Sequence, residues 1–207
     1  MDIIDSYDKL TLGLYKEIQE VSKDEALEDI DRQTRILSIL TGVADEEILH
    51  LPIAEYKGLV ERAAFLNPEN ISYRPIAKRY ILGGFELIPC RDFRKLEAGQ
   101  YIDFQAYAPD LDNRLAEFLS VILVPKGHRY NEGYDILEVQ KAIREEMSVS
   151  DGVSLAAFFL TWSERSIRAS LNSSRREAMR IRDKARREEI LGRIAEQEEL
   201  LRTSGDG

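Results

Sequence analysis

Two histidines, His50 and His128, and one cysteine, Cys90, are the only side chains of their kind in the 207 residues. His50 lies in "EILHLP", within reach of helix carboxylates, and His128 lies in the loop "PKGHRYNEGY". Neither has a cysteine nearby and no H-E-x-x-H pattern occurs, so the spacing predicts no metal centre. No serine sits in a G-x-S-x-G elbow, the sharp turn that exposes a hydrolase nucleophile. "PKGHRY" lacks the spacing and the helix-opening Ser/Thr of a phosphate loop, and the Gly pair in "RYILGGFELI" suits a turn better than a phosphate cradle. Carboxylate pairs such as Glu46/Glu47, Glu145/Glu146 and Glu188/Glu189 are adjacent in sequence. Adjacent acids on a helix point to different sides, so they read as solvated faces rather than as an acid and a base. The most chemically mixed stretch is Pro125 to Tyr134, which joins Lys126, His128, Arg129, Tyr130 and Tyr134. Loops of that kind often bind ligands, but its Gly and Asn equally suit a plain connector, the preferred reading. The expectation is no catalytic residue, no cofactor and no metal, hence a protein that is not an enzyme.

Composition narrows the class further. The net charge is −9 and 43% of the residues are hydrophobic, enough for a packed core. An acidic chain is a poor coat for nucleic acid, whose phosphates need a basic surface. A lone cysteine allows no disulfide within the chain, as in a reducing cytoplasm. "MDIIDSYDKL" is acidic where a secretory signal is basic. The longest apolar runs, "SVILVP" and "SLAAFFLTW", fall short of the ~20 residues of a membrane span, so neither nucleic acid nor membrane is an expected partner.

The elements carrying these residues are written partly in duplicate. "KLTLGLYKEIQ" (Lys9–Gln19) and "KLEAGQYIDFQ" (Lys95–Gln105) share the pattern Lys-Leu-x-x-Gly-x-Tyr-x-acid-apolar-Gln. "DRQTRILSILTG" is followed later by "DNRLAEFLSVILVPKG", and "PIAEYKGLVERAA" by "DILEVQKAIREEM", in the same order. Such repeats are sought first because they dictate architecture. The alternative is that short amphipathic helices resemble one another. Each copy reads as three helices. In the first, Thr11 is an N-cap and Leu14, Tyr15, Ile18 and Val21 form a face. Ile36, Leu37, Ile39 and Leu40 follow, closed by Gly42, and a third helix runs from Ile53 to Phe65. Asp45 is the expected N-cap of a short extra turn. In the second copy the stripes are Tyr101, Phe104 and Tyr107, then Leu115 to Leu123, then Ile136, Val139 and Ile143. The repeated Tyr15 and Tyr101 are expected as core contacts. Between the copies, Gly83-Gly84 signals a two-residue hairpin, expected as the only β structure, which must pack on helices or pair with another chain.

The predicted fold is therefore mostly α: two copies of a three-helix motif (9–66 and 95–148, expected to superpose), an intervening small β-hairpin and a long C-terminal helical arm. The corresponding segments are 1–72, 73–94, 95–149 and 150–207. In the last, Leu155, Phe158, Phe159, Trp162, Ile167 and Leu171 mark an apolar side. Beyond Ser173 only the thin stripe Ile181, Ala185, Leu191, Ile194 and Leu201 remains. Its basic half (Arg175–Arg187) precedes its acidic half (Glu188–Glu199). One reading is a solvated helix held by i,i+4 pairs. The other is an arm that docks or self-associates, coiled-coil fashion, with the arms of two chains antiparallel. The candidate partner-binding residues are Phe158, Phe159, Trp162, Ile181, Leu191 and Ile194.

Leu10, Thr11, Gly13, Tyr15, the run Ile36 to Gly42 and the turn Leu51 to Tyr56 together resemble the opening of tailed-phage tail assembly chaperones. The resemblance extends over most of the first 170 residues and carries no catalytic motif. It implies a non-catalytic role in virion morphogenesis: binding the apolar helices of the tape measure protein in the host cytoplasm while the tail tube assembles. The alternative is a structural virion protein of the neck, connector or baseplate, with the same helices as permanent interfaces. Both readings imply protein partners, including other copies of the chain.

Overall fold

The computed structural model describes residues 1–92, 95–179 and 184–203, which divide into two compact units, Met1–Ala157 and Phe158–Gly207. The protein is mostly helical, with one small antiparallel sheet. In the first unit, α1 (Leu12–Lys23), α2 (Asp29–Thr41), the short α3 (Asp45–Leu49) and α4 (Ile53–Ala63) come first. The hairpin β1 (Tyr80–Leu82) and β2 (Phe85–Pro89) follows. After it come α5 (Ala98–Tyr107), α6 (Leu111–Ile122), β3 (Leu123–Pro125) and α7 (Ile136–Glu146).

Local chemistry sets many of the boundaries. Thr11 caps α1 by accepting the Leu14 N–H on its hydroxyl at 3.4 Å. Gly42 ends α2 in the left-handed region at φ 70°, its N–H donating to Ser38 O, a backbone that glycine adopts without steric cost. Asp135 Oδ1 accepts the Leu137 N–H and opens α7. Asp45, expected as a cap, is the first residue inside α3, with Ala44 as the cap residue. There its carboxylate sits at the positive end of the helix. The third helix is also shorter than expected: α4 stops at Ala63, and Ala64–Leu66 tighten into a 3-10 turn.

The longer helices of the first half are α1, α2 and α4, and those of the second are α5, α6 and α7. The middle one packs on the other two: α2 on α1 and α4, and α6 on α5 and α7. After the middle helix the halves differ, with α3 in the first and β3 in the second. The shared letters also meet different surroundings. A Cβ on Gly13 would lie 3.1 Å from the Arg144 carbonyl oxygen, whereas Gly99 has open space. Tyr15 is half-buried with its ring 5.9 Å from that of Tyr7. Tyr101, expected in the core, is 41% exposed. On α5 the buried face instead belongs to Gln100 and Phe104. Gln100 Nε2 donates to the Val121 carbonyl at 2.9 Å, so the buried amide is satisfied.

The hairpin is not the only β structure, as β3 adds a third strand to give the order β1-β2-β3. Leu123, expected on a helical stripe, is extended (φ −107°, ψ 101°) and pairs with Pro89, while Val124 pairs with Ile88. A buried apolar run has no period that separates helix from strand. Here Pro125 ends the run, and pairing satisfies an edge of β2 that would otherwise be bare. The Gly83-Gly84 turn has φ 54° and 79°, the double positive φ of a type I′ hairpin. Its tip rests on α7: Gly83 N–H donates to Glu146 Oε2 at 2.8 Å. Tyr80, Leu82, Leu87, Pro89, Leu123 and Pro125 form the buried face of the sheet.

The core of this unit includes Leu37, Leu40, Ile48, Leu119, Ile122 and Ile143, together with Phe104 and Phe118, whose rings lie 5.1 Å apart. Tyr7 is 3% exposed, and its hydroxyl donates to the Leu66 carbonyl. Burial pushes its pKa up to about 12. The start of α1 is joined to the start of α8 (Val149–Ala178) by Leu12 N–H to Met147 O and Val149 N–H to Leu10 O. The second unit holds the distal part of α8 and α9 (Lys184–Thr203). Among the described residues, no helix is long and apolar enough to cross a membrane.

Candidate functional site

An α-helix brings residues three and four apart onto one face, and α8 does so with Phe158, Phe159 and Trp162. Phe158 stacks on Trp162 with centroids 6.2 Å apart and planes at 26°. Phe159 meets both edge-on, at 5.4 Å from Phe158 and 6.1 Å from Trp162. Each pair of this geometry contributes about 0.5–1.5 kcal/mol beyond its area. The three rings differ in access: Phe159 is fully buried, Trp162 half-buried and Phe158 40% exposed. Phe158 thus offers an open aromatic surface backed by two held rings.

Further along the second unit, Ala178 and Ile194 are buried and Leu191 is half-buried. Ile181 lies outside the described residues. An open cleft of about 480 Å³ is lined by Ser174, Glu177 and Ala178 of α8 and by Arg186 and Ile190 of α9. Arg175 Nη2 reaches Glu198 Oε2 at 2.9 Å within the same chain. The complementary halves of the arm, expected to meet between two antiparallel chains, therefore meet at this point inside one chain. A partner on the same chain has a far higher effective concentration than one on a second chain.

The loop Pro125 to Tyr134 is held by side chains on both flanks. Lys126 Nζ bonds Glu86 Oε2 at 2.8 Å, and Arg129 Nε bonds Glu97 Oε1 at 3.2 Å. Tyr130 donates its hydroxyl proton to Asp103 Oδ2 at 2.7 Å. Burial first, and then the Asp103 carboxylate, raise the Tyr130 pKa far above its ordinary value, keeping it a donor. The loop borders an open cleft of about 340 Å³ beside Ile88, Cys90, Gln100 and Val124. The wall is mixed and its cations are matched by carboxylates. Among the described residues no cluster of three His, Cys, Asp or Glu is placed to hold a metal ion.

Cys90 borders this cleft half-buried, and its thiol donates to Asp92 O at 3.4 Å. Burial raises its pKa, so the thiolate that would make it reactive is scarce. Cys90→Ser is expected to leave both the thermal midpoint and partner binding unchanged, as read by melting curves and titration. A loss of affinity beyond about tenfold, ~1.4 kcal/mol, contradicts that expectation.

Comparison with protein-family models, with curated proteins and with solved structures finds no match. The geometry of the chain's own surfaces therefore carries the functional reading. Sequence reasoning chose Phe158, Phe159 and Trp162 for their type and spacing, and the structure brings the three rings together. It overlooked the outer face of the sheet, where Ile81 is 61% and Ile88 37% exposed beside Arg79 and Lys126. The readable signal was a cation-rich stretch around the Gly pair in a chain of net charge −9.

Proposed function

We propose that this protein is a non-catalytic helix-binding protein of tailed-phage assembly, a tail assembly chaperone that holds apolar helices of the tape measure protein in soluble form. The observation that carries the reading is the ring group on α8, with Phe158 40% exposed beside a buried Phe159 and a half-buried Trp162. A rigid aromatic surface on a helix suits the apolar stripe of a partner helix, because aromatic rings give large contact area for little conformational entropy. Net charge of −9 keeps such a carrier self-repelling in solution. The resemblance over most of the first 170 residues to that chaperone family supports a tape measure protein as the client.

Co-expression with a long helical tape-measure fragment tests this. The expected result is a soluble complex that purifies together, a client that precipitates without the protein, and no protein in finished particles. Phe158→Ala is expected to weaken the complex at least tenfold, ~1.4 kcal/mol. Recovery from purified particles in a fixed ratio would instead assign it to the neck, connector or baseplate. A client equally soluble alone contradicts the chaperone reading.

A further inference from the structure

The outer face of the three-stranded sheet is basic and apolar in a chain whose net charge is −9. Alternation along the strands and the registers Ile81↔Glu86 and Ile88↔Val124 put these four residues on one face. Glu86 is gripped from both sides, by Arg79 Nη1 at 3.0 Å and Lys126 Nζ at 2.8 Å. Those cations hold its carboxyl below the usual range, Lys126 first. Two cations on one carboxylate leave the face with a positive excess. Residues 74–91 hold Lys78, Arg79 and Arg91 against Glu86, with Arg74 paired to Asp8.

Residues 1–72 have the opposite character, with 16 Asp/Glu against 7 Lys/Arg. One of their acidic stretches is the corner between α3 and α4. Residues 45–56 hold Asp45, Glu46, Glu47 and Glu55 and not one Lys or Arg. Asp45 is paired with Arg35 at 3.1 Å, which leaves three carboxylates in excess. At that same corner stand two uncovered aliphatic residues, Leu49 at 56% and Ile53 at 70% exposed. One surface is thus apolar with a cationic rim, and the other is apolar with an anionic rim.

We propose that the sheet face docks the α3–α4 corner of a second copy of this chain. Ile81 and Ile88 meet Leu49 and Ile53, and Arg79 and Lys126 face Glu46, Glu47 and Glu55. Complementary potentials of this kind fix register and speed encounter more than they add affinity. Three strands of this length cover about 15 Å by 15 Å, well below the ~800 Å² per partner of a standard stable interface. The contact is accordingly weak, and it is strengthened when many copies line up on one long object. It uses two different patches, so a chain with both can associate head to tail. The inference does not depend on the phage reading.

Sedimentation equilibrium at rising concentration tests it with two full-length variants. Ile81→Thr/Ile88→Thr removes the apolar patch while keeping β-branched residues in the strands. Ile53→Asp places a carboxylate in the first turn of α4, where the helix dipole favours it. The wild-type chain is expected to gain mass with concentration and to lose that gain in high salt. Each variant alone is expected to stay monomeric with an unchanged melting curve. A mixture of the two is expected to form a 1:1 dimer and stop there, since each retains one working half. A wild-type chain that stays monomeric throughout, a variant that associates like wild type, or a mixture that stays monomeric overturns the proposal. Should the strand variant fail to fold, Ile53→Asp mixed with labelled wild type decides. It is then expected to cap growing chains at one end, and unaltered growth overturns the proposal.

Discussion

A chain cut after Ser173 is expected to melt cooperatively at nearly the wild-type temperature and to lose capture of a helical client. The cut removes α9 and the end of α8, including buried Ala178 and Ile194 and the Arg175–Glu198 pair, while Phe158, Phe159 and Trp162 remain. Residues Met1–Ala157 form a compact unit of their own, with a core built from Leu37, Ile48, Phe118 and Ile143. All four of those residues lie before the cut, so its unfolding free energy is expected to hold. Client affinity is expected to fall by more than tenfold, ~1.4 kcal/mol, because the cleft lined by Ala178 and Ile190 is gone. Raising salt on the intact protein is expected to mimic part of the loss. Exposed pairs such as Arg175–Glu198 are screened over a Debye length of ~8 Å in physiological buffer. Differential scanning calorimetry and a client pull-down read the two halves of the expectation. A collapsed melt assigns the arm to the core, and undiminished capture at every salt concentration reduces it to a solvated tail.

Phe118→Ala is expected to cost about 3–5 kcal/mol, the range for emptying a buried aromatic site. Phe118 is fully buried on α6, the helix that packs on both α5 and α7 and leads directly into β3. Its ring faces Phe104 at 5.1 Å, so the substitution leaves a cavity and strips a neighbour of its contact. Against the typical 5–15 kcal/mol of a whole domain, that loss brings the first unit close to its threshold. Urea titration reads it, with Phe118→Leu expected to cost less because it refills part of the volume. A cost below about 1 kcal/mol, the mean for any point mutation, shows that the site collapses around the change.

What the sequence revealed follows from how local each cause is. Thr11, Gly42 and the Gly83-Gly84 pair were legible because caps and tight turns depend on a few neighbouring atoms. β3 was not, since "SVILVP" is apolar at every position and only its partner β2 makes it a strand. The repeated phrase shows the same limit from another side. Gly13 and Gly99, or Tyr15 and Tyr101, are identical letters, yet one of each pair is covered by the rest of the chain and the other is open. Charge has a parallel ambiguity. The basic and acidic halves of the arm announced a pairing, but complementarity says nothing about whether the partner lies on the same chain. Among the residues chosen for partner binding, Phe159 and Ile194 are buried. An apolar residue type does not reveal which face its own neighbours cover.

The bonds from Leu12 N–H to Met147 O and from Val149 N–H to Leu10 O have a consequence for how the chain is made. Backbone groups of the first dozen residues take partners that lie some 137 positions downstream. A ribosome adding 5–20 residues per second needs roughly 7–27 s to deliver them. During that interval the residues leading into α1 wait with these backbone groups unpaired. The nascent chain therefore presents an apolar segment and a bare backbone edge early, at the point where misassociation with neighbouring nascent chains is easiest. Closure comes only as α8 begins to emerge. The first unit is thus finished late and in one step, like a belt fastened by its last hole.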